Sequence, residues 1–220
     1  VAVEGATFAA RHAYGDGIAR LEFTPSFGAV DTNSTQVAAR FGGPGWSLQA
    51  QGVGNRETDA QTRYGGWVDG EWRDGTSIYG AGAYRLDPDL RWAGHAMASD
   101  LEGAYVRGSW NRRRYSFESS VDAYRSVRTD EDGILATASG SYRYSRTLSL
   151  SAGGSVRHQR ETFGTAYGEA RWENGWGQSG LRADFREGGI ERSTRLSLDH
   201  AWEMPLGWQL STTVAAGRER

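Results

Sequence analysis

The sequence predicts an all-β chain: an antiparallel, up-and-down transmembrane β-barrel with about 14 strands in these residues and about 16 in the intact protein. Three observations predict it. Apolar and polar residues alternate with period two along segments of about ten to twelve residues; ordinary strands average roughly 5–6, whereas a tilted strand crossing a bilayer needs ~9–11. Short turns alternate with six longer polar links. Large aromatic residues gather beside the short turns.

The clearest stretch is Ile134 to His158. Ile134, Ala136, Ala138, Gly140, Tyr142 and Tyr144 share one parity, and after the turn Ser145-Arg146-Thr147 so do Leu148, Leu150, Ala152, Gly154 and Val156. The opposite parity carries Thr137, Ser139, Ser141 and Arg143, then Ser149, Ser151, Ser155 and Arg157. One face of this hairpin is apolar and small; the other is hydroxylic and charged.

The other elements follow the same logic. Val1 to Ala13 reads as a strand bulged near Gly5, and Ala19 to Thr24 returns after a short link at Tyr14–Gly17. A long polar link, Pro25 to Ser34, leads to the strand through Val37, Ala39 and Phe41. The turn Gly42-Gly43-Pro44-Gly45 joins it to the strand Trp46 to Gly52. A second polar link, Asn55 to Thr62, precedes Tyr64 to Arg73, and Asp74-Gly75 signals a hairpin into Ile78–Leu86. Asp87 to Ser99 is either a folded-in loop or an extra short strand. Leu101–Trp110, the turn Asn111–Arg114 and Tyr115–Val127 form the next hairpin, and the charged loop Arg128–Gly133 follows it. Beyond His158 come the loop Gln159–Gly164, the strand Thr165–Trp172, the turn Glu173-Asn174-Gly175 and the strand Gln178–Phe185. Arg186–Glu191 is the last loop; Leu196–Trp202, the turn Met204–Gly207 and Trp208–Val214 complete the chain. Nothing in this pattern marks an internal boundary, so residues 1–220 read as a single barrel domain.

Composition narrows the classes. No apolar run approaches the ~18 residues of a membrane-crossing helix, but a barrel strand meets lipid with only every second residue. The chain has no Cys, which excludes disulfides and thiolate metal sites. A net charge of -2 gives no pull toward nucleic acid. All 25 basic residues are Arg. A GC-rich genome accounts for such a bias, and Arg forks that hold carboxylates on a crowded wall would also use it.

Trp46, Trp72, Trp110, Tyr115, Tyr144, Trp172, Trp202 and Trp208 lie within a few residues of a short turn and on the apolar parity. An indole or phenol satisfies both its apolar body and its polar tip at headgroup level, so these residues are expected to form a membrane-interface girdle. Trp176 breaks the parity and is expected at a bulge or on the inner side. Tyr84, Tyr124, Phe163 and Phe185, nearer the longer links, are candidates for a second girdle.

The polar parity collects the charges. Arg20, Glu22 and Arg40 come from the early strands; Asp69, Glu71, Arg73, Arg85 and Arg107 from the next. Glu118, Asp122, Arg143 and Arg157 follow, then Glu169, Arg171, Arg182, Asp184, Asp199 and Glu203. Charges at membrane depth need a hydrated or well-paired interior, so this set is expected to line a lumen and to pair across strands. Trp67, Tyr79, Tyr105 and Tyr167 are read onto the same face, where rings beside polar groups would suit a sugar chain. The four histidines, His12, His95, His158 and His200, show no metal or triad spacing, and Asp130-Glu131-Asp132-Gly133 does not match the twelve-residue calcium loop. Neither a catalytic site nor a cofactor or metal is expected.

These features resemble bacterial outer-membrane β-barrels as a class. The size, the Arg-rich inner parity and turns such as Trp172-Glu173-Asn174-Gly175-Trp176 are similar to the C-terminal barrels of exopolysaccharide exporters: the cellulose and poly-N-acetylglucosamine export porins and a related phage-adsorption barrel. The helical-repeat region those proteins carry ahead of the barrel is absent from these residues. The resemblance implies an outer-membrane location, contact with the lipid bilayer, passage of a polysaccharide chain, and periplasmic synthase or scaffold components as partners. It also implies termini in the periplasm. Short turns placed there would put Val1 and Arg220 outside, so one further strand is expected beyond each end. The competing expectations are a plugged barrel serving as an anchor or receptor, and a membrane-embedded hydrolase with a Ser, a His and an acid at one height on adjacent strands.

Overall fold

A computed structural model shows an all-β chain without helices among its described residues. It describes all residues except 1–3, 6–7, 15–16, 28–31, 58–60, 93–94, 97–98, 204–208 and 220; side chains are described from residue 35 onward, except 57–60, 92–98, 203–209 and 220. The turn Met204–Gly207 and Trp208 therefore lie outside the described residues, as do residues 6–7 beside the bulge expected near Gly5.

β1 (Glu4–Gly5) and β2 (Phe8–Tyr14) pair with β3 (Gly17–Phe27) in one antiparallel register. β4 (Thr32–Gly43), β5 (Trp46–Glu57), β6 (Arg63–Asp74) and β7 (Ser77–Leu86) follow as successive hairpins. β8 (Arg91–Trp92) and β9 (His95–Ala96) make a separate small ribbon. β10 (Leu101–Asn111), β11 (Tyr115–Arg125) and β12 (Asp132–Arg143) continue the sheet, then β13 (Leu148–His158), β14 (Thr162–Asn174), β15 (Gly177–Gly188), β16 (Glu191–Glu203) and β17 (Gln209–Glu219). The order is an up-and-down meander. Turn chemistry sets the registers: Gly43 pairs with Trp46 across Pro44-Gly45, and Gly45 has φ +79°, the positive angle that the third position of a Pro-Gly type II turn requires.

Three expectations are corrected. Twelve strands, β4–β7 and β10–β17, make up the long antiparallel array whose side chains are described, fewer than the about 14 expected and the about 16 inferred for a barrel. The Asp87–Ser99 link contributes only the two-residue strands β8 and β9. The sheet is also not closed: β17 pairs with β16, and its other edge carries no strand among the described residues. Finally, the contrast between short turns and long links shrinks, because strands extend into the polar links. β15 and β16 are joined by residues 189–190 alone and β13 and β14 by 159–161. The residues there are polar because they continue the alternation, not because they leave it.

By contacts the chain divides into two compact units, Val1–Arg107 with Asp122–Asp132, and Gly108–Val121 with Gly133–Arg220. In the first unit the register places Val37, Phe41, Trp46, Leu48, Tyr64, Val68 and Trp72 on one face, all exposed. In the second, Ile134, Leu150, Val156, Leu181, Leu196, Leu198 and Val214 share a face and are exposed too. Val53 and Leu90 are the only buried hydrophobic side chains among the described residues. Water is a poor solvent for such faces: each fully covered aliphatic side chain would gain roughly 1.5–3 kcal/mol.

Candidate functional site

The first unit builds its polar face from the residues opposite that apolar parity. Ladder pairing places Arg20 beside Arg40, Arg40 beside Gln49, and Gln49 beside Asp69. Glu22, Ala38, Gln51 and Trp67 form the adjoining row, which ends on Tyr84. Two glycines of β7 then matter. A Cβ at Gly80 would collide with Arg107, and one at Gly82 with the Tyr105 ring. Bare backbone there lets both β10 side chains lie across β7 and reach β6. The Tyr105 hydroxyl donates to Asp69, and the Arg107 guanidinium donates to the same carboxylate at 3.3 Å, with Glu71 3.9 Å away. Arg73 closes the row by donating to Glu71 at 3.0 Å. The Tyr84 hydroxyl donates to Asp122 at 3.1 Å. Asp69, Glu71, Arg73 and Arg107 are thus gathered in one hydrogen-bonded and ion-paired cluster, with the separate Tyr84–Asp122 pair on the same face, and together they make one polar wall.

Over one end of this wall lies the Asp87–Asp100 link. Leu90 is 1 % exposed and meets Leu86 over Gly65, where a Cβ would strike both leucines. Gly65 is on the polar parity, so the link folds over the polar face. Polar contacts pin it: the Tyr64 amide donates to the Asp87 carboxylate at 2.9 Å, and Arg128 donates to Asp89 at 2.6 Å. Asp100, at φ +67°, accepts from the Ser126 hydroxyl at 3.0 Å and the Arg128 amide at 2.7 Å. Of the two alternatives the sequence left open, the folded-in loop describes this link, with a two-residue ribbon inside it.

The second unit carries the longer polar face. Its register sets out transverse rows. Arg143, Ser149, Arg171, Gly180 and Asp199 form a row toward the short turns; Ser141, Ser151, Glu169, Arg182 and Ser197 form the next. Ser139, Gly153, Tyr167, Asp184 and Arg195 follow, and then Thr137, Ser155, Thr165, Arg186 and Ser193. Arg157 stands opposite Leu135 and Phe163 beyond them. Arg171 is paired with Glu169. Arg182 lies 2.8 Å from Asp184 and 3.6 Å from Glu169, with its guanidinium 4.6 Å from the centre of the Tyr167 ring. Hydroxyl pairs knit the strands: Ser116 to Ser141 at 2.8 Å, Ser120 to Thr137 at 2.7 Å and Ser155 to Thr165 at 2.8 Å. Glu118 lies on β11 between Ser116 and Ser120 and shares their face. Reading by residue type missed Arg186 and Arg195, assigning the first to a loop and stopping before the second. Continuing the i, i+2 step from Arg182 and Asp184 would have found Arg186.

On the apolar side the aromatic residues do meet. In the first unit Trp46 pairs with Trp72 across the ladder, and Trp72 stacks on Tyr79 at 5.0 Å. In the second, Trp110 lies 5.4 Å from Phe117, Trp172 stands opposite Leu148 and Ser179, and Trp202 lies edge-on to His200 at 4.3 Å. Tyr115 and Tyr144 are exposed beside their turns. Trp176 occupies the tip of the β14–β15 turn, 78 % exposed, with its amide donating to Asn174 at 2.9 Å; it is neither in a bulge nor on the polar face.

Several assignments are corrected. Tyr79 and Arg85 lie on the apolar face, opposite Trp72 and Gly66. Both parities of β7 are small-residue rich, so its own sequence carried no contrast. Arg85 instead joins Glu102 at 3.1 Å, and Glu102 also pairs with Arg125. Of the second-girdle candidates, Phe185 is on the apolar face, under Arg192 at 5.2 Å; Tyr84 and Phe163 are on the polar faces of their units, and Tyr124 lies on the Asp122 parity of β11. Arg20, Glu22 and Glu203 have strand positions only, and the side chains of His12 and His95 lie outside the described residues.

One pair has catalytic residue types. The Ser179 hydroxyl lies 2.7 Å from His200 Nδ1, on adjacent strands at one height. Its row on that face is Leu148, Trp172, Ser179, His200 and Thr212, without an acid. Ser179 is 7 % exposed. A nucleophile needs an accessible oxygen, an oriented base and free amide donors for the oxyanion; in the interior of this ladder the amides are used by the strands. The pair serves to satisfy a half-covered imidazole beside Trp202. No group of three His, Cys, Asp or Glu side chains able to hold a metal occurs among the described residues. Comparison with protein-family models, curated proteins and solved structures finds no match to this chain.

Proposed function

We propose that the chain is the wall of a bacterial outer-membrane β-barrel, a single domain over residues 1–220, that passes a polar polymer, an exopolysaccharide, without acting on it chemically. The observation that carries this reading is the two-sided sheet: an apolar face of exposed aliphatics with aromatics beside the turns, backed by a face of Arg, acids, Ser and Thr. A soluble sheet of this size would bury one face in a core. Here the aliphatic face has only lipid as a fitting solvent, and the opposite face is fit for water. Closure of the sheet into a barrel belongs to this proposal, since a bilayer tolerates no open strand edge. The expected partners are the lipid bilayer, the polysaccharide and the periplasmic machinery that delivers it.

A second reading, a plugged barrel that anchors or receives a partner, is favoured by the Asp87–Asp100 link lying on the polar face of the first unit. The test that separates them is single-channel recording of the chain folded into a planar bilayer. Discrete conductance steps that a glucose oligomer or an acidic sugar oligomer interrupts are expected. Insertion without any steps would overturn the conduit and leave the plugged barrel.

A further inference from the structure

The strands β14 to β17 border an open concavity of about 1130 Å³ on the second unit, lined by Tyr167, Arg182, Asp184, Arg186, Arg195 and Ser197 among others. Ligand pockets usually span roughly 300–1,000 Å³, so this one has room for more than one sugar ring. Its charges are unevenly satisfied. Arg182 is consumed by Asp184 and Glu169. Arg195 stands opposite that already paired Asp184, and acts on it through charge alone. Arg186 lies two residues beyond Asp184 along β15, on the same face. Neither the Arg186 nor the Arg195 guanidinium forms a hydrogen bond or ion pair among the described residues. Arg186 pairs in the ladder with Thr165 and Ser193, so hydroxyls flank it directly, and the nearest carboxylate of its row is Glu219, one strand further on beyond Ser193. The Tyr167 ring beside them is held under Arg182 at 4.6 Å.

We propose that this concavity is a binding site for an acidic sugar unit, one that carries a carboxylate, on the chain the barrel passes. The inference rests on the conduit reading and names its substrate class. Two guanidinium forks whose donors are free present planar N–H pairs that match a carboxylate. The Tyr167 ring, capped by Arg182, offers its edge to a sugar ring, and Thr165, Ser193 and Ser197 offer partners for the sugar's hydroxyls. A neutral glycan would use the ring and the hydroxyls but leave both guanidiniums without a hydrogen-bond acceptor.

The test uses the full chain, folded in detergent micelles, titrated calorimetrically with a galacturonate oligomer and with a glucose oligomer of equal length. The acidic oligomer is expected to bind at least tenfold more tightly, and its affinity to fall as salt is raised. Arg186→Gln with Arg195→Gln should remove that preference while leaving the strand signal in circular dichroism unchanged. Lys at both positions should restore part of it, and Arg146→Gln, in a short turn, should change nothing. Equal binding of the two oligomers, or an acid preference that survives the double substitution, overturns the inference. The same proteins in planar bilayers separate this from the conduit reading. Conductance without acid-selective binding leaves the conduit and removes the site. Acid-selective binding lost with the two arginines, in a protein that never conducts, keeps the site and removes the conduit.

Discussion

Leu90 shows what a single side chain does where almost no hydrophobic side chain is buried among the described residues. It is 1 % exposed, and the notch that receives it exists because position 65 has no Cβ. The hydrogen bonds around it, Asp87 to the Tyr64 amide and Asp100 to Ser126 and the Arg128 amide, orient the link but compete with water. Each is worth roughly 0.5–1.5 kcal/mol, more where a carboxylate accepts. The leucine contributes more than any one of them: truncating a buried leucine costs about 2–5 kcal/mol. Because only the Asp87–Asp100 link depends on it, that loss should appear as local opening, not global unfolding. Leu90→Ala is expected to speed tryptic cleavage at Arg91 at least tenfold without altering the circular dichroism of the sheet. An unchanged cleavage rate would mean that the polar contacts alone hold the link. If the link narrows a conduit, the same variant should also raise unit conductance.

At the scale of the strand, alternation carries the argument, and it can be tested by placing one charge on either face. Leu198 and Ser197 are neighbours near the middle of β16 and point to opposite sides. An arginine on the lipid face of a barrel at mid-membrane costs about 2–4 kcal/mol; on the polar face it joins a surface already populated by Arg182 and Arg195. Leu198→Arg should therefore weaken folding into vesicles by that amount in urea titrations, and Ser197→Arg should cost under about 1 kcal/mol. Equal penalties would show that both faces meet the same solvent. Strands were legible where the two parities differ in chemistry. β12 and β13 are hydroxylic on one side and aliphatic on the other, so their sequence alone assigns the faces that the register shows. That of β7 does not, because Gly80, Ala81, Gly82 and Ala83 give neither parity a character, and its orientation is fixed by what crosses it: Tyr105 and Arg107 on one side, Trp72 on the other. Strand ends are hard to read from sequence for a related reason. Polar residues such as Arg186 and Ser193 look like loop when counted by type, yet they continue a ladder whose polar face happens to be long.

At the scale of the molecule the deciding feature is the outer edge of β17. This strand of eleven residues, Gln209–Glu219, presents there a row of amides and carbonyls that invites pairing, and hydrocarbon would leave that row unsatisfied at several kcal/mol per group. In the barrel proposal the edge is satisfied by a further strand, and the polar face then encloses water. Hydrogen exchange reads this directly. The amides of β17 that point toward β16 are already paired in the ladder, so they are protected in either arrangement; the alternate set, pointing away, is protected only if a strand lies beyond. In lipid vesicles the chain is expected to protect both sets on β17 as strongly as those of β15, in the centre of its neighbours. Protection of every second β17 amide, with rapid exchange of the others, would show an open sheet edge. It would remove the barrel, because the polar face could no longer be sealed from lipid.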